Sequence, residues 1–220
     1  FDDGQNIGAE GVGCGAAYVN NALSFDGLDD YVDLGINNLI GPTESNPLTI
    51  SLWVKSVALD NIIVSKYENA NASNSNFYLG TTPNGNYSVS GNGTNGFNFG
   101  NVELNEWQHI ALVFDSGVTH AYVNGLLQNS QQLNLASEIS SQPLLIGSIS
   151  NSPYKLNGLV DEISVWSDVL SQEQIQGQMN QELIGNEEAL VGYWNFNEVQ
   201  DSTAHDITGN GYDGTVYGAE

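Results

Sequence analysis

The chain has 220 residues, 40% of them hydrophobic, and sets 26 acidic residues against three lysines and no arginine, for a net charge of −23. A surface of that sign repels phosphate backbones, anionic membranes and heparin-like polyanions, which excludes nucleic acid as a partner. Membrane insertion is not expected either, because no apolar run approaches the roughly 18–20 residues of a span.

Cys14 is the only cysteine, so a disulfide framework and a thiolate zinc site are ruled out, and the thiol reads as a small buried residue. At this length the hydrophobic content suffices for one core, with about 70% of the unfolded surface lost on folding. That fits a single β domain over 1–220. The acidity has two readings that can hold together: carboxylates that keep the surface soluble, and carboxylates that converge on divalent cations.

The chain opens abruptly at Phe1, as an excised or processed fragment would. Compact or alternating apolar stretches then recur, bounded by Gly, Asn, Asp or Ser. The first are 22–25, 31–34, 48–54, 61–66, 77–80, 87–89 and 97–99. The rest are 109–114, 119–123, 144–147, 158–166, 190–196 and 212–217. β-Branched and aromatic residues with turn signals about every 8–12 residues predict an all-β sandwich. Within 49–54, Ile50, Leu52 and Val54 alternate with Thr49, Ser51 and Trp53, giving one aliphatic face. The run 109–114 is apolar at most positions, as a central strand covered on both sides would be. Asn124-Gly125 between two apolar runs is a hairpin signal. Ser171 with Gln174 forms a capping box, so one short helix is predicted near 171–179. Phe196-Asn-Glu-Val echoes Phe1-Asp-Asp-Gly. The segment 190–220 therefore either opens a following copy or completes this sandwich. Closure is favoured, because the first version lacks the Asp-x-Thr-Gly-Asn-Gly stretch.

An ordered series of motifs runs through these elements. It begins with Ala22-Leu-Ser-Phe-Asp-Gly-Leu-Asp-Asp-Tyr-Val-Asp-Leu, Leu48-Thr-Ile-Ser-Leu-Trp-Val-Lys and Asn105-Glu-Trp-Gln-His-Ile-Ala-Leu-Val-Phe. It continues through Tyr122-Val-Asn-Gly, Leu145-Ile-Gly and Asn157-Gly-Leu-Val-Asp-Glu-Ile-Ser-Val-Trp. Leu190-Val-Gly-Tyr-Trp-Asn-Phe and Asp206-Ile-Thr-Gly-Asn-Gly-Tyr-Asp-Gly-Thr-Val complete it. In this order the series resembles the laminin-G-like, pentraxin-type branch of the concanavalin A-like lectin/glucanase superfamily. The resemblance implies a two-sheet antiparallel jelly-roll sandwich. It also implies a structural calcium, held by an aspartate pair with main-chain carbonyls, and ligand contacts from loops or the concave face.

Three stretches offer calcium chemistry: the turn of Asp26, Asp29 and Asp30, the strand pair Asp161-Glu162, and the glycine-rich turn from Asp206 to Asp213. The expected ligands are Asp26, Asp161, Asp206 and Asp213; the bland alternative for each is an Asx-turn or a solvated acid. The variable loops 66–78, 81–98 and 148–155 supply Tyr67, Asn86, Tyr87, Asn95 and Tyr154 as candidate sugar contacts, though such residues also merely turn a chain. Trp53, Trp107, Trp166 and Trp194 sit inside motif segments and read as core anchors.

No Gly-x-Ser-x-Gly elbow, His-Glu-x-x-His pair or phosphate-binding loop is present. Strand alternation would send Asp161 and Glu162 to opposite faces, which denies them a paired glucanase role. The expectation is therefore a non-catalytic, calcium-stabilised extracellular or cell-surface module from a larger multidomain chain, with a glycan as ligand. The alternative is a protein–protein adhesion module that binds a surface protein.

Overall fold

The computed structural model describes residues 21–35, 40–43, 45–67, 76–93, 96–150, 152–197 and 202–220. Cys14, Asn95 and most of the 66–78 loop lie outside these. The first strands are β1 (Leu23–Asp26), β2 (Tyr31–Asp33), β3 (Leu48–Ser56), β4 (Ile62–Lys66) and β5 (Phe77–Thr81). There follow β6 (Asn86–Ser90), β7 (Gly96–Asn101), β8 (Gln108–Asp115), β9 (Val118–Val123) and β10 (Leu126–Gln132). Last come β11 (Leu145–Ile146), β12 (Asn157–Trp166), helix α1 (Gln172–Gln178), β13 (Leu190–Trp194), β14 (Thr203–Ala204) and β15 (Gly214–Tyr217).

They form two antiparallel sheets, the jelly-roll sandwich that the motif series implied. Sheet A runs β1-β12-β3-β8-β9-β10 with β13 beside β12, and sheet B runs β14-β15-β2-β11-β4-β5-β6-β7. Period-two alternation builds the core between them. Ile50, Leu52 and Val54 of β3 and Ile110, Leu112 and Phe114 of β8 face Val32, Val64, Phe77, Leu79, Tyr87, Val89 and Phe99 of sheet B.

β8 is buried on both sides, as its apolar run predicted. On its outer side Ala111 and Val113 join Trp166, Leu170, Ile175, Leu183 and Tyr193 in a second cluster. Helix α1 supplies Ile175, and its start is fixed by the predicted capping box: the Gln174 N–H donates to Ser171 Oγ and the Ser171 N–H to Gln174 Oε1. The β9–β10 hairpin turns at Asn124 and Gly125, both at positive φ. No helix among the described residues is long and apolar enough to cross a membrane.

The segment 190–220 enters both sheets. β13 pairs with β12 and β15 with β2. Beyond β15, the Ser24 N–H donates to the Glu220 carbonyl at 2.7 Å and the Glu220 N–H to the Ser24 carbonyl at 3.1 Å.

Candidate functional site

On the outer face of sheet B lies a groove of about 260 Å³, close to the lower end of the roughly 300–1,000 Å³ of small-molecule sites. Alternation explains its floor. Tyr78 and Ser88 point outward because Phe77, Leu79, Tyr87 and Val89 point into the core. Gly80 completes the floor, and a Cβ there would strike the Asn61 carbonyl oxygen. One wall is the β3–β4 turn, which reverses at Asp60 in a left-handed backbone conformation (φ 61°). Thr82 and Pro83 of the β5–β6 turn line another side. Over the groove the loop after β11 brings Tyr154, which is 49% exposed. Behind it Tyr78 meets Tyr67 edge-on at 5.2 Å, on a small apolar cluster of Ile62 and Ile149.

Several polar groups of the groove are already occupied. Asn61 Nδ2 donates to the Ala58 carbonyl, the Asn61 N–H donates to Thr81 Oγ1, and the Thr82 hydroxyl donates to the Asn86 carbonyl. Among the described residues the Asp60 carboxylate and the Ser88 hydroxyl make no such bond. An aromatic face beside hydroxyl and carboxylate groups suits a ligand with an apolar ring face and a rim of hydroxyls.

A second cluster sits at the β1–β2 turn. Carboxylate oxygens of Asp26, Asp29 and Asp30 lie within 4.8 Å of one another. The turn is locally determined: the Asp26 N–H donates to Asp30 Oδ2, the Leu28 N–H donates to Asp26 Oδ1, and Gly27 takes positive φ. Burial raises the Asp30 pKa, the Asp26 N–H opposes that, and the neighbouring Asp26 and Asp29 charges add to it. A Cβ at Gly218 would collide with Asp30 Oδ1, so the close approach of the chain to this carboxylate requires glycine. Three carboxylates held together in one turn suit a divalent cation with oxygen ligands.

A third polar group lies under helix α1, on the outer face of sheet A. There β12 carries one extra residue against β3: Asp161 opposes Trp53, yet Ser164 opposes Ser51. Glu162 takes φ 54° at this bulge. Val160 and Ile163 both stay in the core, and Asp161 and Glu162 occupy the gap between them. Glu162 accepts a hydrogen bond from the Tyr193 hydroxyl. Burial pushes its carboxyl up to about 7 against that bond, and the Glu182 charge contributes in the same direction as burial. Burial also holds His109 down to about 3, so its ring is neutral, and it lies 5.4 Å from Trp53. The space these side chains enclose is about 20 Å³, enough for one water and too small for a sugar ring.

A family model of laminin-G type, described as the concanavalin A-like lectin/glucanases superfamily, matches residues 25–176. The chain belongs to this superfamily. Solved structures share the superfamily fold. A candidate carbohydrate-binding protein from Bacteroides ovatus is 21% identical with a TM-score of 0.69; the match covers 90% of this chain and 58% of that one. Domain 4 of an extracellular arabinanase from Geobacillus stearothermophilus, in complex with arabinotriose, is 19% identical with a TM-score of 0.57, covering 74% and 78%. The CBM40 of the Ruminococcus gnavus IT-sialidase, bound to sialyllactose, is 15% identical with a TM-score of 0.56, covering 72% and 96%. The chain thus spans just over half the length of the Bacteroides protein. No curated protein matches it.

Within this lectin-type sandwich the residues expected as ligands fall in different places. Of the four metal candidates, only Asp26 belongs to the acidic cluster. Asp161 is fully buried in β12 and accepts the Glu162 N–H, and the bulge removes the opposite-face placement expected for the two. Asp206 and Asp213 do meet, but as organisers of the C-terminal turn. Asp206 accepts from the Tyr193, Thr208 and Tyr212 N–H groups and the Thr208 hydroxyl. Asp213 accepts the Asp206 N–H and lies 3.5 Å from His205.

Of the sugar-contact candidates, Tyr154 lines the groove. Tyr87 does not: much of 81–98 is strand rather than loop, and alternation buries the Tyr87 ring, whose hydroxyl donates to Gln108 Oε1. Tyr67 is nearly buried behind Tyr78, with its hydroxyl on the Gly93 carbonyl. The Asn86 amide is spent on the Gly100 carbonyl and Asn101 Oδ1. Asn95 lies outside the described residues. Trp53, Trp166 and Trp194 are buried, while Trp107 is half-buried.

Sequence reasoning passed over Asp60, Tyr78 and Ser88. Alternation along 77–81 and 86–90 points Tyr78 and Ser88 outward; nothing local marks Asp60.

Proposed function

We propose that this chain is a non-catalytic carbohydrate-binding module whose sugar ligand lies in the groove of Tyr78, Tyr154, Asp60 and Ser88. The observation that carries this reading is an open space on an outer sheet face, with an exposed aromatic ring and uncommitted hydroxyl and carboxylate groups. The arabinotriose-bound and sialyllactose-bound relatives lend it support, since the same fold serves sugar binding there. Against catalysis speaks the third cluster, whose one strongly perturbed carboxyl is shut in a water-sized space. Calcium held by Asp26, Asp29 and Asp30 would neutralise that turn and fix the start of β2. In this reading the module works at the cell surface or outside the cell, as part of a larger chain. The test is a polysaccharide pull-down and glycan array with the wild type and Tyr154→Ala. Retained glycans lost in the variant support the reading, and a blank array in calcium overturns it.

A protein-binding role is favoured by one feature. Leu126 and Leu127, about half exposed, stand side by side on β10, an edge strand of sheet A. Binding of a protein partner that Leu127→Lys abolishes and Tyr154→Ala spares would favour this second reading.

A further inference from the structure

We propose that the groove on sheet B accepts uncharged saccharides and turns away acidic ones, an inference that rests on the groove being the sugar site. Asp60 is the only charged side chain lining it among the described residues. Recognition of a sugar carboxylate or sulfate needs a cationic donor, and every candidate is committed elsewhere. The sequence has no arginine and three lysines. Lys66 is fully buried and its ammonium donates to the Gln142 carbonyl at 2.6 Å. Lys155 follows Tyr154 in the chain, yet its Nζ donates to Ser148 Oγ at 2.6 Å and lies 5.2 Å from the centre of the Tyr31 ring. Lys55 stands on β3 in the other sheet. His109 and His120 also belong to sheet A, and His205 lies beside Asp213.

What the groove does offer is suited to hydroxyls. The Asp60 carboxylate accepts from them, and the Ser88 hydroxyl both donates and accepts. A second negative charge against Asp60, in a protein of net charge −23, meets repulsion at contact and at long range. The sialyllactose-bound relative shares the fold and holds an acidic sugar, so charge preference is set by groove side chains and not by the sandwich.

The experiment is a glycan array in matched pairs: lactose with sialyllactose, and methyl-esterified with free oligogalacturonides. Titration calorimetry of whichever pair binds then follows. The neutral member should bind at least about tenfold tighter, because a like charge is brought against Asp60. Asp60→Asn should narrow that ratio, and Lys155→Met should leave it unchanged. Acidic members bound as tightly as neutral ones, with binding lost in Tyr154→Ala, overturn the charge preference while the groove reading stands. Binding to neither member of any pair overturns both.

Discussion

The outer faces of the two sheets are built alike and covered differently. Both carry polar side chains that alternate with core residues, but α1 and the chain after it roof the face of sheet A. There the groups with strongly shifted protonation, Glu162, His109 and Tyr193, surround room for one water. The face of sheet B stays open above Tyr78 and Ser88, with Asp60 on its wall. Perturbed titration often marks a functional cleft. Here it marks burial beneath a helix, and the proposed sugar groove rests on open space and exposed polar groups instead.

That contrast can be broken at several points, beginning with the largest effect. Trp166→Ala should cost about 3–5 kcal/mol, read as a lower denaturant midpoint, because it empties the cluster that seats α1 on sheet A. Glu162→Gln should change the pH profile. A carboxyl raised to about 7 in the folded state binds protons more tightly there than in the unfolded chain, so its contribution is complete below about 4.5 and is lost as pH rises through 7. The variant should gain on the wild type across that window by about 1–2 kcal/mol, the full shift being reduced by solvent screening at this half-buried group. His109 has the opposite sign: its folded value of about 3 lies below the unfolded 6.5, so stability is lost as pH falls through that interval. With Glu162 neutralised, this second slope should stand out.

Lys66→Met probes the cation that sheet B keeps from the groove. Burial lowers its folded pKa to about 8, so wild-type stability should rise between pH 8 and 10.5. The variant should lack that rise, which is of order 2–3 kcal/mol. A calcium titration followed by melting addresses the acidic turn. Calcium at 100 times its dissociation constant should add about 2.7 kcal/mol, and Asp30→Asn should abolish the increment. An EDTA-insensitive midpoint would remove calcium from the account.

Much of the fold was legible because it rests on period and punctuation. The alternation in β3, the two-sided burial of β8, the Asn124-Gly125 turn and the Ser171 cap are local signals that the packing follows. Two strands were not legible. β10 reads Leu-Leu-Gln-Asn-Ser-Gln-Gln and is mostly exposed, so it has no apolar face to announce it. β14 has two residues and exists by pairing with β15. The β12 bulge was hidden as well, because one extra residue changes the facing of Asp161 and Glu162 without any glycine to mark it.

The site was legible only in part. Tyr154, expected from loop composition, does line the groove, whereas Tyr87 was set in the 81–98 loop although the apolar stretch 87–89 already marked a strand, and alternation turns its ring into the core. Asp26, Asp206 and Asp213 share turn chemistry in the sequence. Only three-dimensional packing separates an acid saturated by N–H donors, Asp206, from acids crowded against one another at the β1–β2 turn.

The most direct measurement is titration calorimetry of wild type and Tyr154→Ala with a neutral oligosaccharide retained in the pull-down, beside their melting curves. Tyr154 is half exposed, so its loss should shift stability by no more than about 0.5 kcal/mol. Affinity should fall at least about tenfold, in keeping with a stacked aromatic anchor. Unchanged affinity in a variant that melts like the wild type would contradict the groove as the sugar site.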